Sequence, residues 1–483
     1  MEPKGMRFLS SQKRMHFVLG LIASGYLIGC SGGGGNSSAS SPSQSGPGVA
    51  SIQFSTTATG WPGWCKTLTA TLQNASGTTV SASTAFTATI TAQDASVYSD
   101  SSCTTAISSI AISAGTSTLT LYYKPTAVSS TLSVSLAHSS FTTATYSGTS
   151  TLPTANSIRG QSSFTSSGAN GLGVSTGGLN EPRRMAIAGS KLIVADKANH
   201  RVVIYPSLSA TAPDTVLGQV DLTANSGANP ASASAFADPV GVWSDGTRLL
   251  VTSKSQNRVL LWNTIPTSDA TPADIVIGQA TDSTTTAAAG MAELDSPEYA
   301  FISGTKLFVA DGGNSRVLIF NSVPTATGTA ADVQIGAFGS GNAADQFATP
   351  YFALVTGTKL LVADGGANHR IQVFNTIPTA ANAAADLSLA LSNASAQPTA
   401  LAIIGSKLLA YDEDKSRVVF WNSIPTAAVS PDGVLGQVDL SSVSTTVDDS
   451  TLGRGYGLLV DGTSLWVADT ERHRLLKFTT PEP

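Results

Sequence analysis

The chain is poor in charged residues and in cysteine, and it has no basic run after residue 16. Only 12% of its 483 residues are Asp, Glu, Lys or Arg, and the formal net charge is -5. Such a chain has no electrostatic attraction for phosphate backbones, so nucleic acid is not an expected partner. Hydrophobic residues make up 41%, and Ser, Thr, Ala and Gly fill much of the rest. This composition is typical of an exported all-β protein.

The sequence also lacks a hydrophobic run long enough to cross a membrane. A basic segment precedes an apolar stretch from Phe17 to Ile28, and about 12 residues at roughly 1.5 Å each cannot span a core of about 30 Å. The pattern therefore predicts that residues 1–29 are a cleaved signal peptide. Leu27-Ile28-Gly29-Cys30 resembles the bacterial lipobox, which implies lipidation of Cys30, and Ser31 then favours sorting to the outer membrane. The alternative is a free or disulfide-bonded Cys30 after ordinary secretion.

Two regions precede the repeats described below. Residues 30–49 are rich in Gly and Ser and have few apolar side chains, so we expect a flexible tether. Residues 50–152 contain short segments that alternate between apolar residues and Thr or Ser, as in half-buried strands. About a hundred residues of this kind are similar to the Ig-like modules of bacterial surface proteins, which implies an Ig-like β-sandwich.

Two further cysteines, Cys65 and Cys103, lie in this second region. An even pair within one domain of an exported protein indicates a disulfide. In the chain-entropy model it would stabilise the domain by about 4 kcal/mol. Two free thiols or a metal site are the alternatives, although His138 is the only histidine of this region.

Six copies of one pattern follow, each with a Gly, an apolar strand that usually ends in Asp, a polar turn, and a strand opened by Arg. They occupy residues 189–205, 246–262, 304–320, 357–374, 405–421 and 462–478. The opening arginines recur about every 55 residues, which suits four strands and their loops. The copies resemble NHL repeats, whose Asn-His-Arg turn is kept at Asn199-His200-Arg201. The resemblance implies a six-bladed NHL β-propeller over residues 155–480, preceded by the sandwich.

The repeat array is offset by one strand. Five copies are followed by an apolar run, whereas the sixth ends at Phe478, and an orphan run with Gly160-Gln161 precedes the first copy. We expect residues 157–161 to supply the outer strand of the last blade, so that the ring closes without a free edge.

The Asp and Arg of each copy flank a short turn, so they should face each other across a hairpin. Their repetition around the ring predicts structural ion pairs. The pairs are Asp196 with Arg201, Asp311 with Arg316, Asp364 with Arg370, Asp412 with Arg417, and Asp469 with Arg474. The second copy has Ser253 in place of Asp and should lack its pair. We expect Asp412-Glu413-Asp414 to be a solvated acidic tip rather than a cation site.

Residues that follow the proline of each inner strand should form a ring at one mouth of the channel. They are Arg183, Val240, Glu298, Tyr351, Thr399 and Tyr456. Only one carboxylate occurs among them, and the histidines lie in separate turns, so we expect neither a metal nor a cofactor. Arg183, Glu298, Tyr351 and Tyr456 are the candidates for binding a polar ligand or peptide, and a solvated rim that binds no ligand is the alternative.

These features favour a lipid-anchored envelope protein that binds a protein, peptide or glycan, as the NHL resemblance implies. It would be attached to the membrane through Cys30, most simply as an outer membrane lipoprotein on the periplasmic or surface face. Two alternatives remain open: an enzyme of lyase or lactonase type that acts at the channel mouth, and a purely structural envelope role.

Overall fold

A computed structural model describes residues 48–55, 59–225, 230–336, 340–391 and 395–480. The predicted signal peptide, the predicted lipidation site Cys30 and nearly all of the predicted tether lie outside these residues. Within them, no helix is both long enough and apolar enough to cross a membrane.

The first part of the described chain consists of eight strands in two four-stranded sheets. The strands are β1 (Ser51–Phe54), β2 (Lys66–Gln73), β3 (Phe86–Gln93), β4 (Ala95–Tyr98), β5 (Ser109–Ile112), β6 (Thr118–Pro125), β7 (Ser129–His138) and β8 (Phe141–Ser150). The sheet orders are β1-β2-β6-β4 and β5-β3-β7-β8. The alternation predicted from sequence is present: Leu68, Ala70 and Leu72 of β2 are buried between the sheets, whereas the threonines between them are partly exposed.

The disulfide between Cys65 and Cys103 is confirmed. A turn built around Asp100 presents Cys103, because the Asp100 carboxylate accepts hydrogen bonds from the backbone N–H groups of Ser102, Thr104 and Thr105. Cys65 directly precedes β2, so the bond ties this loop to the start of a central strand. A loop of short polar residues is thereby held in place by covalent and hydrogen bonds together.

The second part of the described chain contains twenty-four strands, again with antiparallel pairing. They are β9 (Ser157–Arg159), β10 (Pro182–Ala188), β11 (Lys191–Asp196), β12 (Arg201–Tyr205), β13 (Thr215–Leu217), β14 (Pro239–Ser244), β15 (Leu249–Ser253), β16 (Arg258–Trp262), β17 (Ile275–Ile277), β18 (Pro297–Ser303), β19 (Lys306–Asp311), β20 (Arg316–Phe320), β21 (Val333–Ile335), β22 (Thr349–Thr356), β23 (Lys359–Gly365), β24 (Arg370–Phe374), β25 (Leu387–Ala390), β26 (Pro398–Ile404), β27 (Lys407–Asp412), β28 (Arg417–Trp421), β29 (Gly433–Leu435), β30 (Gly457–Asp461), β31 (Ser464–Asp469) and β32 (Arg474–Thr479).

Within the described residues these strands form six four-stranded sheets arranged as a β-propeller. Five sheets consist of consecutive strands, from β10-β11-β12-β13 to β26-β27-β28-β29. The first strands of successive sheets are neighbours, and β30 lies next to β10, so the sheets form a closed ring. Strands such as β12 are buried along their whole length because both faces of each sheet pack on neighbours.

The predicted closure of the ring is confirmed. The last sheet has the order β30-β31-β32-β9, in which Leu475 pairs with Arg159 and Lys477 pairs with Ser157. The strand that precedes the first repeat therefore completes the sheet formed by the last one. Both ends of the array meet at this seam, so neither end leaves an unpaired edge.

The propeller and the two-sheet region contact each other through a polar and aromatic interface. The Asn422 side chain accepts a hydrogen bond from the Cys65 backbone N–H at 2.9 Å and donates one to the Gly63 carbonyl at 2.8 Å. The Trp64 ring packs edge-on against Phe420 with ring centroids 5.0 Å apart. These directional contacts fix the orientation of the two-sheet region on the fifth sheet of the propeller.

Candidate functional site

The five Asp–Arg pairs predicted from the repeats are ion pairs, and all of their side chains are buried except that of Arg370, which is partly exposed. The Arg201 Nε donates to Asp196 Oδ2 at 2.7 Å, and the other oxygen of Asp196 accepts the backbone N–H of Asn180. The remaining pairs have N–O distances between 2.7 and 2.9 Å: Asp311–Arg316, Asp364–Arg370, Asp412–Arg417 and Asp469–Arg474. Each pair lies inside its sheet, away from the channel, and fastens the hairpin to the loop before the inner strand.

The second sheet has a neutral substitute for this pair. Ser253 donates to the Ala237 carbonyl at 2.6 Å, and Arg258 donates to the Gln256 side-chain oxygen at 2.7 Å. Arg258 forms no ion pair with any described residue. The amide of Gln256 thus occupies the role that the carboxylate has in the other sheets.

The three histidines of the propeller lie in its hairpin turns, as the repeats indicate. His200, His369 and His473 each have a left-handed backbone with φ of 52° or 53°. The Nδ1 of His473 accepts the backbone N–H of Glu181 from the next sheet at 3.0 Å. Among the described residues, no group of three or more His, Cys, Asp or Glu side chains is placed to hold a metal ion.

The four candidate ligand-binding residues lie at one end of the channel. The Arg183 guanidinium lies 3.4 Å from the ring centroid of Tyr456, and the Tyr351 ring contacts Tyr456 edge-on at 6.4 Å. The Tyr351 hydroxyl accepts a hydrogen bond from Gln397 Nε2 at 3.1 Å. Glu298 completes this end of the channel, and only 1% of it is exposed.

Three charged residues at this end did not follow from the sequence argument: Lys254, Glu413 and Arg454. Lys254 forms an ion pair with Glu298. Arg454 pairs with Glu413 at 2.8 Å. We call these three residues, with Arg183, Glu298, Tyr351 and Tyr456, the polar mouth. Lys254 directly follows Ser253 at the end of β15, and Glu413 directly follows Asp412 at the end of β27. An alignment of this position across the six repeats could therefore have found both residues.

The acidic tip is one prediction that the structure contradicts. Asp412 and Glu413 are buried, and only Asp414 is exposed. The next sheet causes this burial, because the Tyr456 hydroxyl donates to Glu413 at 3.0 Å and Arg454 binds both Glu413 and Asp414. The tip is therefore part of the polar mouth and is not a solvated loop.

Burial alters the titration of the polar mouth. It raises the pKa of the Glu413 carboxyl despite the opposing charge of Arg454. It also raises the pKa of the Tyr456 hydroxyl to about 12, against the nearby charge of Arg183. The Tyr456 hydroxyl thus stays protonated near neutral pH and donates to Glu413.

Arg184 closes the channel beneath the polar mouth. Its Nη1 donates to the Val240 and Glu298 carbonyls at 2.8 and 3.0 Å, and its Nη2 donates to the Tyr351 and Thr399 carbonyls at 2.7 and 2.9 Å. One side chain of the first sheet thereby joins the inner strands of the next four. Burial lowers the pKa of Arg184 to about 10, so the guanidinium remains charged at neutral pH.

The inner strands pack closely around Arg184. The residues at the position of Arg184 in two other sheets are glycines, Gly241 and Gly457. A Cβ atom at Gly457 would lie only 2.1 Å from the Arg183 carbonyl oxygen. On another side the Tyr299 and Phe352 rings stack 4.2 Å apart, with the guanidinium 5.3 and 5.5 Å from their centroids. Glycine thus permits close packing of the neighbouring backbones, and the aromatic rings of Tyr299 and Phe352 contact the guanidinium itself.

The opposite end of the channel is lined by apolar side chains. Ile187, Trp243, Ile403, Leu459 and Val460 surround an open cavity of about 360 Å³ there. We call these five residues the apolar mouth. Each is partly exposed to solvent. This end offers contact area, whereas the polar mouth offers charges and hydrogen-bonding groups.

A larger groove of about 900 Å³ lies between the two-sheet region and the propeller. Val128, Leu152 and Val438 contribute to its lining, so much of its surface is apolar. Its carboxylate Asp432 is already paired with Lys124 at 2.8 Å. The groove thus has less polar recognition chemistry to offer than the polar mouth.

No family model matches the chain, and no curated protein is similar to it. Solved structures with some likeness include the PQQ-bound aldose sugar dehydrogenase from Streptomyces coelicolor, at 14% identity over 68% of this chain and 99% of that one, with a TM-score of 0.38. Others are the periplasmic gluconolactonase of Pseudomonas aeruginosa (13%, 60% and 78%, TM-score 0.36) and a nidogen–laminin complex (12%, 61% and 86%, TM-score 0.33). None of these likenesses assigns a ligand or an activity to this chain.

Proposed function

We propose that this protein is an exported, lipid-anchored binding protein whose propeller, of the six-bladed NHL type, holds a peptide, protein or glycan at the polar mouth. The two-sheet region, which we interpret as an Ig-like sandwich, is its spacer. The membrane anchor is the lipidated Cys30, and the location is the outer membrane.

One observation carries the assignment of the polar mouth as the binding site. Glu298 is buried at the channel mouth, and its Oε2 has no hydrogen-bond partner among the residues described. A buried carboxylate oxygen without a donor costs free energy that a ligand donor can recover. The Arg183–Tyr456 stack and Tyr351 stand beside it and offer donors and flat apolar faces. Because Arg184 closes the channel below, a ligand would be held at the surface rather than inside.

The placement of the two-sheet region supports its role as a spacer. Its contacts with the propeller include those of residues 63–65, next to Lys66 at the start of β2, and that of Lys124, whose neighbour Tyr123 pairs with Lys66. In contrast, β1 begins at Ser51 beside Gln73 at the other end of β2. The eight residues of β2 correspond to roughly 25 Å of strand. The start of β1 therefore lies at the end of the sandwich away from these contacts with the propeller.

Binding to peptide and glycan arrays would test the proposed site. The protein carrying Cys30→Ala, purified from the periplasm, would be compared with Arg183→Ala and Tyr456→Ala in the same background. We expect each to weaken array binding by about tenfold or more, as for a central aromatic or arginine contact. Leu459→Ala at the apolar mouth is the matched control and should leave binding unchanged. Binding that survives both polar-mouth variants and is lost in Leu459→Ala would contradict the proposed site.

The lipid anchor has a separate test. Cells that express the wild-type chain would be grown with a palmitate analogue, and incorporation would be compared with the Cys30→Ala variant. We expect the label on the wild-type protein and none on the variant. Equal labelling of both proteins would exclude Cys30 as the lipidated residue.

A further inference from the structure

The ion pair between Lys254 and Glu298 is markedly unequal in exposure. The Glu298 side chain is 1% exposed, whereas the Lys254 side chain is 40% exposed. Lys254 belongs to the hairpin turn of the second sheet and contacts Glu298 Oε1 of the third sheet, while Glu298 Oε2 has no partner among the described residues. The ion-pair partner of this buried carboxylate is thus a flexible lysine that solvent reaches, and the buried Arg184 adds its charge from below.

Such a pair can exchange its cation. A buried carboxylate strongly favours a charged donor, but it does not select the chain to which the donor belongs. Lys254 is tied through its own backbone, whose N–H donates to the Asp238 carbonyl, so its ammonium approaches from one direction. An ammonium group that enters from solvent is free of this tie, and its three N–H donors can serve both carboxylate oxygens.

The other cations of the polar mouth are not equivalent to Lys254. Arg183 is stacked on Tyr456, and Arg454 binds both Glu413 and Asp414. Displacing either cation would break an aromatic stack or a two-carboxylate contact. Lys254 has a single acidic partner and is the cation that leaves at the lowest cost.

We propose that the polar mouth binds the lysine side chain of a peptide, whose ammonium replaces Lys254 on Glu298. This inference rests on the proposed function, because it names the ligand chemistry of that same site. Lys254 is itself a lysine side chain seated on Glu298, so it mimics the ligand within the chain. Tyr351 and Tyr456 lie near Glu298. Because Arg183 covers one face of Tyr456, we expect Tyr351 to supply apolar ring surface to the aliphatic stem of the incoming lysine.

The proposal makes opposite predictions for the two partners of the pair. Glu298→Gln removes the charge that holds the ammonium, so affinity for a lysine peptide should fall about 10- to 100-fold. Lys254→Met removes the internal competitor, so affinity should rise about tenfold. The matched control is Lys197→Met, because Lys197 has the equivalent turn position in the first sheet and pairs with Glu181. Lys197→Met should leave the affinity for the lysine peptide unchanged.

The probe is the blocked tripeptide acetyl-Gly-Lys-Gly-amide, titrated calorimetrically into the full-length protein in detergent. The same peptide with an Nε-acetylated lysine should not bind measurably, because it carries no ammonium. Thermal unfolding of each variant identifies loss of folding. The gain of affinity in Lys254→Met cannot arise from misfolding, so it keeps the test decisive even where Glu298→Gln is unstable.

Three outcomes would overturn the proposal. The first is equal binding of the acetylated peptide, and the second is unchanged or weaker binding by Lys254→Met. The third is tighter binding of a glucosamine trimer than of the peptide, with the trimer affinity lowered by Glu298→Gln and raised by Lys254→Met. That result would assign the site to an amino sugar. Array binding could be lost in Tyr456→Ala and yet be unchanged in Glu298→Gln and Lys254→Met. That result would support the proposed function and contradict this inference.

Discussion

The two ends of one channel, built from the same six repeats, have opposite chemistry. At the polar mouth the ring contains Arg183, Glu298 and two tyrosines, and turn residues from neighbouring sheets pair with them. At the apolar mouth the inner strands present Ile187, Trp243 and other apolar side chains. The repeat fixes the backbone of both ends alike, so the difference resides in the side chains that each position carries. Recognition chemistry is concentrated where the hairpin turns converge.

Arg184 separates these two environments, and its removal should have the largest effect on the molecule. Arg184→Met would remove four hydrogen bonds to buried carbonyls from four different sheets. Loss of a buried charged donor of this kind is expected to lower the free energy of unfolding by about 4 kcal/mol. Urea denaturation followed by tryptophan fluorescence would measure the change.

Arg183→Met is the control for this experiment, because Arg183 is the neighbouring arginine and its described contact is the stack on Tyr456. It should cost less than about 1 kcal/mol of unfolding free energy. Equal stability of the Arg184→Met and wild-type proteins would show that the guanidinium does not join the sheets. The two mouths would then not be separated by a structural element.

The sequence was sufficient to predict features that depend on the repeat. The hairpins follow from a residue pattern that recurs six times. The strand that closes the ring follows from one missing outer strand and one orphan strand, and the disulfide follows from an even number of cysteines in one region. The ring that contains Arg183, Glu298, Tyr351 and Tyr456 followed from aligning the residue after each inner-strand proline.

The missed features depend on contacts between different sheets. Arg184 looks like a second rim arginine until its hydrogen bonds to carbonyls of four other sheets are seen. Glu413 looks like part of a solvated tip because Arg454 and Tyr456, which bury it, come from the next repeat. Local pattern carries no information on such neighbours, since they lie about one repeat away along the chain.

The apolar mouth should contribute to stability and not to binding of the polar ligand. Trp243 is half-buried and packs between the second and third sheets. Trp243→Ala would remove the packing of the indole ring and expose the apolar side chains that it covers. The free energy of unfolding should therefore fall by about 2 kcal/mol. Calorimetric titration with acetyl-Gly-Lys-Gly-amide should show the same affinity as for the wild-type protein. A tenfold loss of affinity in this variant would mean that the two ends of the channel are coupled through Arg184.

The smallest expected effect is the contribution of the polar mouth to the pH dependence of stability. Burial raises the pKa of Glu413 above its ordinary value of 4.5, so the folded protein holds this proton more tightly than the unfolded chain. The resulting stabilisation is present below pH 4.5 and is lost as the pH rises through the raised pKa. The change should be below about 1 kcal/mol, because solvent screens part of the charge. The buried aspartates of the five ion pairs also have raised pKa values and contribute to the same slope. Glu413→Gln keeps an acceptor for the Tyr456 hydroxyl and should therefore reduce, but not abolish, the slope of unfolding free energy against pH in urea denaturation. Trp243→Ala should retain the full slope, and equal slopes for Glu413→Gln and the wild-type protein would place the titrating groups outside the polar mouth.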